Sequence, residues 1–363
     1  MYNKATPYLR DKVVATKKSI CILRLSALGD CINAFAFAQG LVNCNERYHV
    51  TLILDKRFAP LFSNERLCSK IEIIGIDLKK YGLLKARSKL KEKLSGRKFN
   101  LLFNIQTSLK ASLLSTAIKA DIKVGYDKQR SREGQFLFVN KRALEALGDH
   151  VIDGFLGFSK LFGLKVEPDF NLHLLRSEIE DARVLADTDK DIFLLSPCSA
   201  KKAKNWTFEG YTKVIEHMAS RNFAIVLSAG SSAYEIEYCQ KIKDHMSHCG
   251  IDVINLAGKT TLRDLAALCS ISTIALCPDS GTMHLCNAVN TKVVGLFAIH
   301  NPKRVGPYNF MDYIVSVYDE LAQKELGSKA VSWRYRVKDE HAMEHIKPLA
   351  VIDMLDKVIE SNI

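Results

Sequence analysis

The residues best suited to chemistry lie in one stretch, Ile274 to Phe310, which reads IALCPDSGTMHLCNAVNTKVVGLFAIHNPKRVGPYNF. The apolar run Ile274 to Cys277 predicts a buried strand, Pro278-Asp279-Ser280-Gly281 breaks it, and Thr282 to Val289 predicts a short helix. Lys292 to Phe297 predicts the next strand, and a loop rich in Pro and Gly follows. A strand that ends in Asp-Ser-Gly and feeds a helix leaves backbone N–H groups at the carboxyl edge of a sheet. That position suits an anion such as a diphosphate. The same residues also fit a plain helix cap through Asp279 or Ser280, and taken alone the motif favours the cap.

Two further stretches carry reactive groups. Ser19 to Leu25 (SICILRL) predicts a first strand, Ser26-Ala27-Leu28-Gly29-Asp30 a turn, and Cys31 to Val42 an apolar helix. Asp30 is then a carboxylate at a helix start, fit to accept a proton or to cap. The turn holds one glycine where a dinucleotide fingerprint needs three, which disfavours a nicotinamide enzyme. Pro197 to Trp206 is a polar loop with Lys201, Lys202 and Lys204 clustered in it, and it reads either as an anion site or as a solvated basic loop. Ser199 and Lys202 also match a Ser-x-x-Lys pattern of penicillin-binding enzymes, but the partner motifs are missing.

The elements that position these residues alternate between strand and helix. His49–Leu54, Ile71–Ile76 and Asn100–Ile105 predict strands; Tyr81–Leu94 and Ser108–Ala120 predict helices. A charged loop follows Lys123–Asp127, and Leu161–Arg176 reads as a connector. The pattern then restarts with strands at Ile192–Ser196, Ala224–Ser228 and Val253–Leu256 and helices at Thr207–Ser220, Ala233–Met246 and Thr261–Cys269. Leu349–Ile359 predicts a final amphipathic helix. This is an α/β chain of two tandem Rossmann-like domains with parallel sheets. The domains are expected at residues 1–168 and 176–338, with 339–363 a terminal helix free to pack back on the first domain.

Composition bounds the function. The chain has 363 residues, 47% hydrophobic and 25% charged, enough for two globular domains. No apolar run is long enough to cross a bilayer, and the basic leader MYNKATPYLRDKVVATKKS lacks the apolar core of a secretory signal. Ten scattered cysteines with no Cys-x-x-Cys pair read as small hydrophobes in a reducing compartment, which points to the cytoplasm. A formal charge of +12 predicts an anionic partner: a phosphorylated substrate, an acidic membrane surface or nucleic acid. No zinc-ligand set, aromatic RNA-binding strand or helix-turn-helix accompanies the charge, so nucleic acid is the weaker choice.

Four motifs in order carry a sharper resemblance: ILRLSALGD (Ile22 to Asp30), the Pro197…Lys204-Asn205-Trp206 loop, PDSGTMHL (Pro278 to Leu285), and Phe297…Pro302…Arg304…Gly306-Pro307-Tyr308. Together they resemble glycosyltransferase family 9, the bacterial lipopolysaccharide heptosyltransferases, over roughly Ser19 to Tyr308. The resemblance implies a GT-B fold, two Rossmann-like domains facing a central cleft. It implies an inverting transfer of L-glycero-D-manno-heptose from ADP-heptose to the lipopolysaccharide inner core, with the Kdo of Kdo–lipid A as acceptor, at the cytoplasmic face of the inner membrane. The alternatives are a later-acting heptosyltransferase, a relative using another sugar nucleotide, or a non-catalytic basic phospholipid- or nucleic-acid-binding protein on the same fold. No metal and no cofactor are expected.

Residue by residue, the resemblance makes Asp30 the general base. Ser199, Lys204, Asp279, Ser280, Gly281, Thr282 and His284 fall at the donor site, Thr260 near the nucleobase, and Glu235 at the ribose, with Ser232 or Glu237 as alternatives. Arg132 in QRSRE falls on a charged loop facing the acceptor. Two departures lie near the donor pocket: Cys198 stands where many members have glycine, and Ala298-Ile299-His300 replaces a Gly-Pro-Thr-like turn.

Overall fold

The computed structural model describes residues 18–361, apart from 64, 68 and 328. Most of the basic leader and Cys68 lie outside the described residues. The chain divides into two compact units between His173 and Leu174.

The first unit is built on a six-stranded parallel sheet. Its strands are β1 (Lys18–Leu23), β2 (Tyr48–Asp55), β3 (Ile71–Ile76), β4 (Lys98–Asn104), β5 (Lys119–Gly125) and β6 (Lys141–Arg142), in the order β3-β2-β1-β4-β5-β6. β1 is central, with Ile20 opposite Leu101 on one side and Val50 on the other. Its Ile20, Cys21, Ile22 and Leu23 are all fully buried, as an unbroken apolar run with both faces covered requires. The Leu28–Cys44 and Val151–Lys160 helices cover one face, where Phe37, Phe103, Phe155, Phe158 and Phe162 pack together. Gly40 lets the connector approach the first of these helices, since a Cβ there would lie 2.2 Å from the Glu167 carbonyl oxygen. Gln39 beside it donates to the carbonyls of Asp169 and Asn171, both at 2.8 Å, so the connector stays with the first unit as far as His173.

The second unit repeats the plan. Its strands are β7 (Ile192–Leu195), β8 (Ala224–Leu227), β9 (Val253–Asn255), β10 (Ile274–Pro278), β11 (Val293–Phe297) and β12 (Ile314–Ser316), in the order β12-β11-β10-β7-β8-β9. Each unit thus has the doubly wound arrangement, in which the strand order reverses its direction of travel beside the first strand of the unit. The α/β class with two Rossmann-like domains, expected from the alternation, is the observed architecture. The Pro348–Glu360 helix, which the sequence left free to pack on the first domain, buries Val351, Leu355 and Val358 in the second unit's own core.

One expected element is replaced. The helix expected over Ser108–Ala120 is short, Leu109–Ser115, and the chain re-enters the sheet as β5. The amides of Thr116, Ala117 and Ile118 each bond the carbonyl three residues back, a tightening that ends the helix. The Val151–Lys160, Arg176–Ala186 and Tyr318–Leu326 helices and the edge strand β12 had no sequence assignment.

Candidate functional site

In each unit the central candidate residues sit at the carboxyl edge beside the point where strand order reverses: Asp30 after β1, Ser199 and Lys204 after β7, and Asp279 after β10. In the second unit three loops meet there, following β7, β10 and β11. Asp279, just after β10, is the hub. Lys204 Nζ donates to its backbone oxygen (2.7 Å) and to Oδ2 (3.0 Å), and His300 Nδ1 lies 2.5 Å from the same Oδ2. Ser199 Oγ donates to the Asp279 carbonyl at 3.1 Å. Burial alone would raise the Asp279 carboxyl, but the His300 bond and the Lys204 charge outweigh it and hold the group well below the usual carboxylate range. Lys204 has three N–H donors and spends two on Asp279, so one is left for a ligand.

The Lys204 loop is held from beneath. Ser199 N–H donates to Asn205 Oδ1 (2.7 Å), and Trp206 Nε1 donates to the Ile346 carbonyl (3.1 Å). The Trp206 ring lies on Gly210, where a Cβ would come within 2.6 Å of it. Trp206 is thus the packing residue under the loop. Lys201 is pushed below the usual lysine range, first by the charge of Arg336 and then by its own partial burial.

The Gly281–Ala288 helix starts at this hub. Neither Asp279 nor Ser280 caps it: no side-chain cap bond is made, and Ser280 Oγ is buried without a hydrogen-bond partner among the described residues. The capping role the motif favoured when taken alone is therefore not filled. First-turn amides, an unpartnered hydroxyl and a spare lysine N–H converge, as an anion site requires. Thr282 is buried and accepts from Ser196 Oγ (3.0 Å), which ties the helix to the end of β7, and His284 is buried on the same helix. Gly281 opens the helix.

The residues assigned to the nucleoside are more dispersed. Ser232 Oγ donates to Glu235 Oε2 (2.6 Å), so these two alternatives for the ribose form one unit at the start of the Ala233–His248 helix. Glu237 instead lines a shallow depression with Phe208, Lys241 and His245. Thr260 lies after β9, half-buried, just before the Leu262–Ile271 helix.

In the first unit, Asp30 occupies the third position of the Leu28–Cys44 helix and its Oδ2 accepts from the Ala27 N–H at 3.3 Å. It also pairs with Arg24, whose Nη1 donates to the Ile105 carbonyl at 2.6 Å. Burial lowers the affinity of Arg24 for its proton, but Asp30 more than restores it, so the guanidinium stays charged. Arg132 is exposed, with Nη1 donating to the carbonyls of Gln129 (2.9 Å) and Ser131 (2.8 Å) in its own loop.

Sequence reasoning missed two participants, Arg24 and His300. A lone arginine inside the apolar run ILRL was the available signal for the first, because a buried charge demands a partner. His300 stands out in the sequence only as a departure from a family turn.

The heptosyltransferase model of glycosyltransferase family 9 matches residues 87–334. The chain belongs to that family. It is a glycosyltransferase by this membership, and a relative from Haemophilus influenzae, lipopolysaccharide core heptosyltransferase OpsX, is 38% identical over 344 residues, 94% of this chain and 97% of the relative. Solved structures share the fold of the family 9 enzyme at lower identity. The glycosyl transferase family 9 protein of Veillonella parvula has a TM-score of 0.78 at 20% identity, covering 95% of this chain and 98% of that one. Escherichia coli heptosyltransferase WaaC with ADP has a TM-score of 0.71 at 16% identity, covering 94% and 99%.

Proposed function

We propose that the enzyme transfers L-glycero-D-manno-heptose from ADP-heptose to the Kdo of Kdo–lipid A in the lipopolysaccharide inner core, with inversion at the anomeric carbon. The second unit holds the donor. Lys204, Ser280, the amides of Gly281 and Thr282 and the Ser199 loop take the diphosphate; Glu235 takes the ribose; Thr260 lies by the nucleobase; Asp279 and His284 order the pocket. The acceptor hydroxyl attacks the anomeric carbon from the face opposite the diphosphate, the bond to the leaving phosphate oxygen breaks, and Asp30 takes the hydroxyl proton. ADP is a good leaving group once its charge is met, so one base suffices. Arg132 meets the anionic acceptor. The enzyme works on a lipid-borne acceptor at the cytoplasmic face of the inner membrane, in keeping with its basic charge.

The observation that carries this reading is the uncapped Gly281–Ala288 helix with the Ser280 hydroxyl and Lys204 beside it. Support for the sugar comes from the family and from the named activity of the Haemophilus relative. Purified enzyme, ADP-heptose and Kdo–lipid A should give a product heavier by one heptosyl unit, with the anomeric configuration inverted by NMR. Transfer only to an acceptor that already carries heptose would overturn the Kdo assignment, and a retained configuration would overturn the mechanism.

A further inference from the structure

We infer that the Gln135–Phe138 turn of the first unit is a membrane anchor, which sets two apolar side chains into an anionic bilayer inside a collar of basic residues. Phe136 and Leu137 are 52% and 73% exposed, and Leu109, on a helix that packs against the turn, is 45% exposed. Single exposed apolar residues need no explanation, but neighbouring ones on a fixed turn do.

The turn is fixed. Gln135 is fully buried beneath it, and its Nε2 donates to the carbonyls of Asn104 (2.9 Å) and Gln106 (3.0 Å) while its Oε1 accepts from the Tyr126 N–H at 3.0 Å. Glu133 and Gly134 just before it both adopt the left-handed conformation, with φ of 48° and 69°. Glu133, itself exposed, accepts from the Leu109 N–H at 2.7 Å, which ties the turn to the neighbouring helix and spends part of its charge there. The buried glutamine thus rules out a collapse that would hide the two apolar side chains, so their exposure is built into the turn.

The surroundings select the partner. Lys110, Lys128, Arg132, Lys141 and Arg142 are all exposed on the segments that flank or pack against the turn, and the Arg142 guanidinium lies 5.7 Å from the Phe136 ring centre. Apolar tips inside a basic rim match a bilayer of anionic headgroups over acyl chains, whereas an acidic protein surface would leave Phe136 and Leu137 without an apolar layer to enter. The turn follows β5, at the carboxyl edge of the same parallel sheet that carries Asp30 after β1. The anchor and the proposed base are thus on one edge, as a lipid-borne acceptor requires. This inference rests on that reading of the acceptor.

The experiment uses the full chain and vesicles of phosphatidylethanolamine containing about a third phosphatidylglycerol. Co-sedimentation should show binding that Phe136→Ser with Leu137→Ser weakens at least about tenfold, the worth of removing two apolar side chains from acyl chains. Lys141→Gln and Arg142→Gln should each weaken it about fivefold, and added salt should erase that difference. In the Phe136→Trp variant, vesicles should shift the indole fluorescence to the blue, and brominated acyl chains should quench it. Turnover of a delipidated, water-soluble core acceptor should be unchanged in the Ser variants, which also shows that they fold. Binding untouched by the Ser variants, or indole fluorescence of the Phe136→Trp variant that does not respond to vesicles, overturns the anchor. Vesicle binding that behaves as described, without heptose transfer to any Kdo acceptor, overturns the proposed function and leaves the anchor standing.

Discussion

The two carboxyl edges use the same topology to opposite electrical ends. Each puts an ion pair where the strand order reverses: Arg24 with Asp30 after β1, and Lys204 with Asp279 across the ends of β7 and β10. In the first, the cation is the inner member, 12% exposed and bonded to the Ile105 carbonyl, while the carboxylate is 26% exposed. In the second, the carboxylate is consumed by Lys204 and His300, and what remains for a ligand is a lysine N–H, a hydroxyl and helix amides. One edge offers a proton acceptor and the other offers donors to an anion. The repeated fold thus differs between its two units in which partner of the pair is spent on the scaffold, and the proposed reaction needs both kinds of edge.

The largest test of that contrast is Asp30→Asn. Asparagine can still accept from Ala27 N–H and Arg24 but cannot take the acceptor's proton, so turnover should fall by roughly 10²–10⁴-fold. ADP affinity, read by calorimetry, should be unchanged, because the proposed donor groups belong to the other edge. Loss of ADP binding together with turnover would break the division of labour. Some loss of thermal stability is expected in any case, since Arg24 keeps its charge without a carboxylate.

Lys204→Met tests the second edge. It removes the spare N–H and leaves the Asp279 carboxylate with His300 alone, so ADP affinity should drop roughly tenfold to a hundredfold, the worth of a charged hydrogen bond. Binding at the parent level would mean that the helix amides and Ser280 suffice and that Lys204 serves only Asp279.

The acid behaviour of Asp279 sharpens the picture. Its carboxyl is depressed in the folded protein by His300 and Lys204 against the pull of burial. A depressed carboxyl stabilises the fold in full above the ordinary aspartate pKa of about 4 and loses that contribution as pH falls through the folded value. The melting-temperature gap between parent and Asp279→Asn should therefore be flat from neutral pH down to about pH 5 and close below about pH 4. A gap that stays unchanged as pH falls from about 5 to about 2 would mean that the Asp279 charge contributes nothing to the stability of the fold.

The strands at the core were legible because unbroken apolar runs such as ICIL and IALC have few other uses, and Asp30 and the Asp279 motif were legible because they follow such runs. Three things were not. β5 was lost because KADIKVG alternates weakly and follows a helical run. His300 was lost because its value depends on meeting Asp279 across two loops, which no local pattern shows. The Gln135 turn was lost because its exposed Phe136 and Leu137 look like core residues until a buried glutamine beneath them shows otherwise. Capping went the other way: the local rule favoured a capped helix at Ser280, and the structure leaves that hydroxyl unpartnered among the described residues.

The smallest effect concerns Arg132. Its side chain is exposed, and one nitrogen is already bonded to loop carbonyls, so at most part of the guanidinium meets a ligand. An exposed charge interaction contributes about 0–1 kcal/mol, and reversing the sign roughly doubles the change. Arg132→Glu should therefore raise the KM for Kdo–lipid A about threefold to tenfold and leave that for ADP-heptose unchanged. Arg132→Gln removes the charge without reversing it and should sit between the two. Raising the salt should bring all three together, because screening acts on the charge and not on the loop. If both KM values rise together and salt changes nothing, Arg132 supports its loop through the Gln129 and Ser131 carbonyls, and the acceptor edge must draw its charge from other residues.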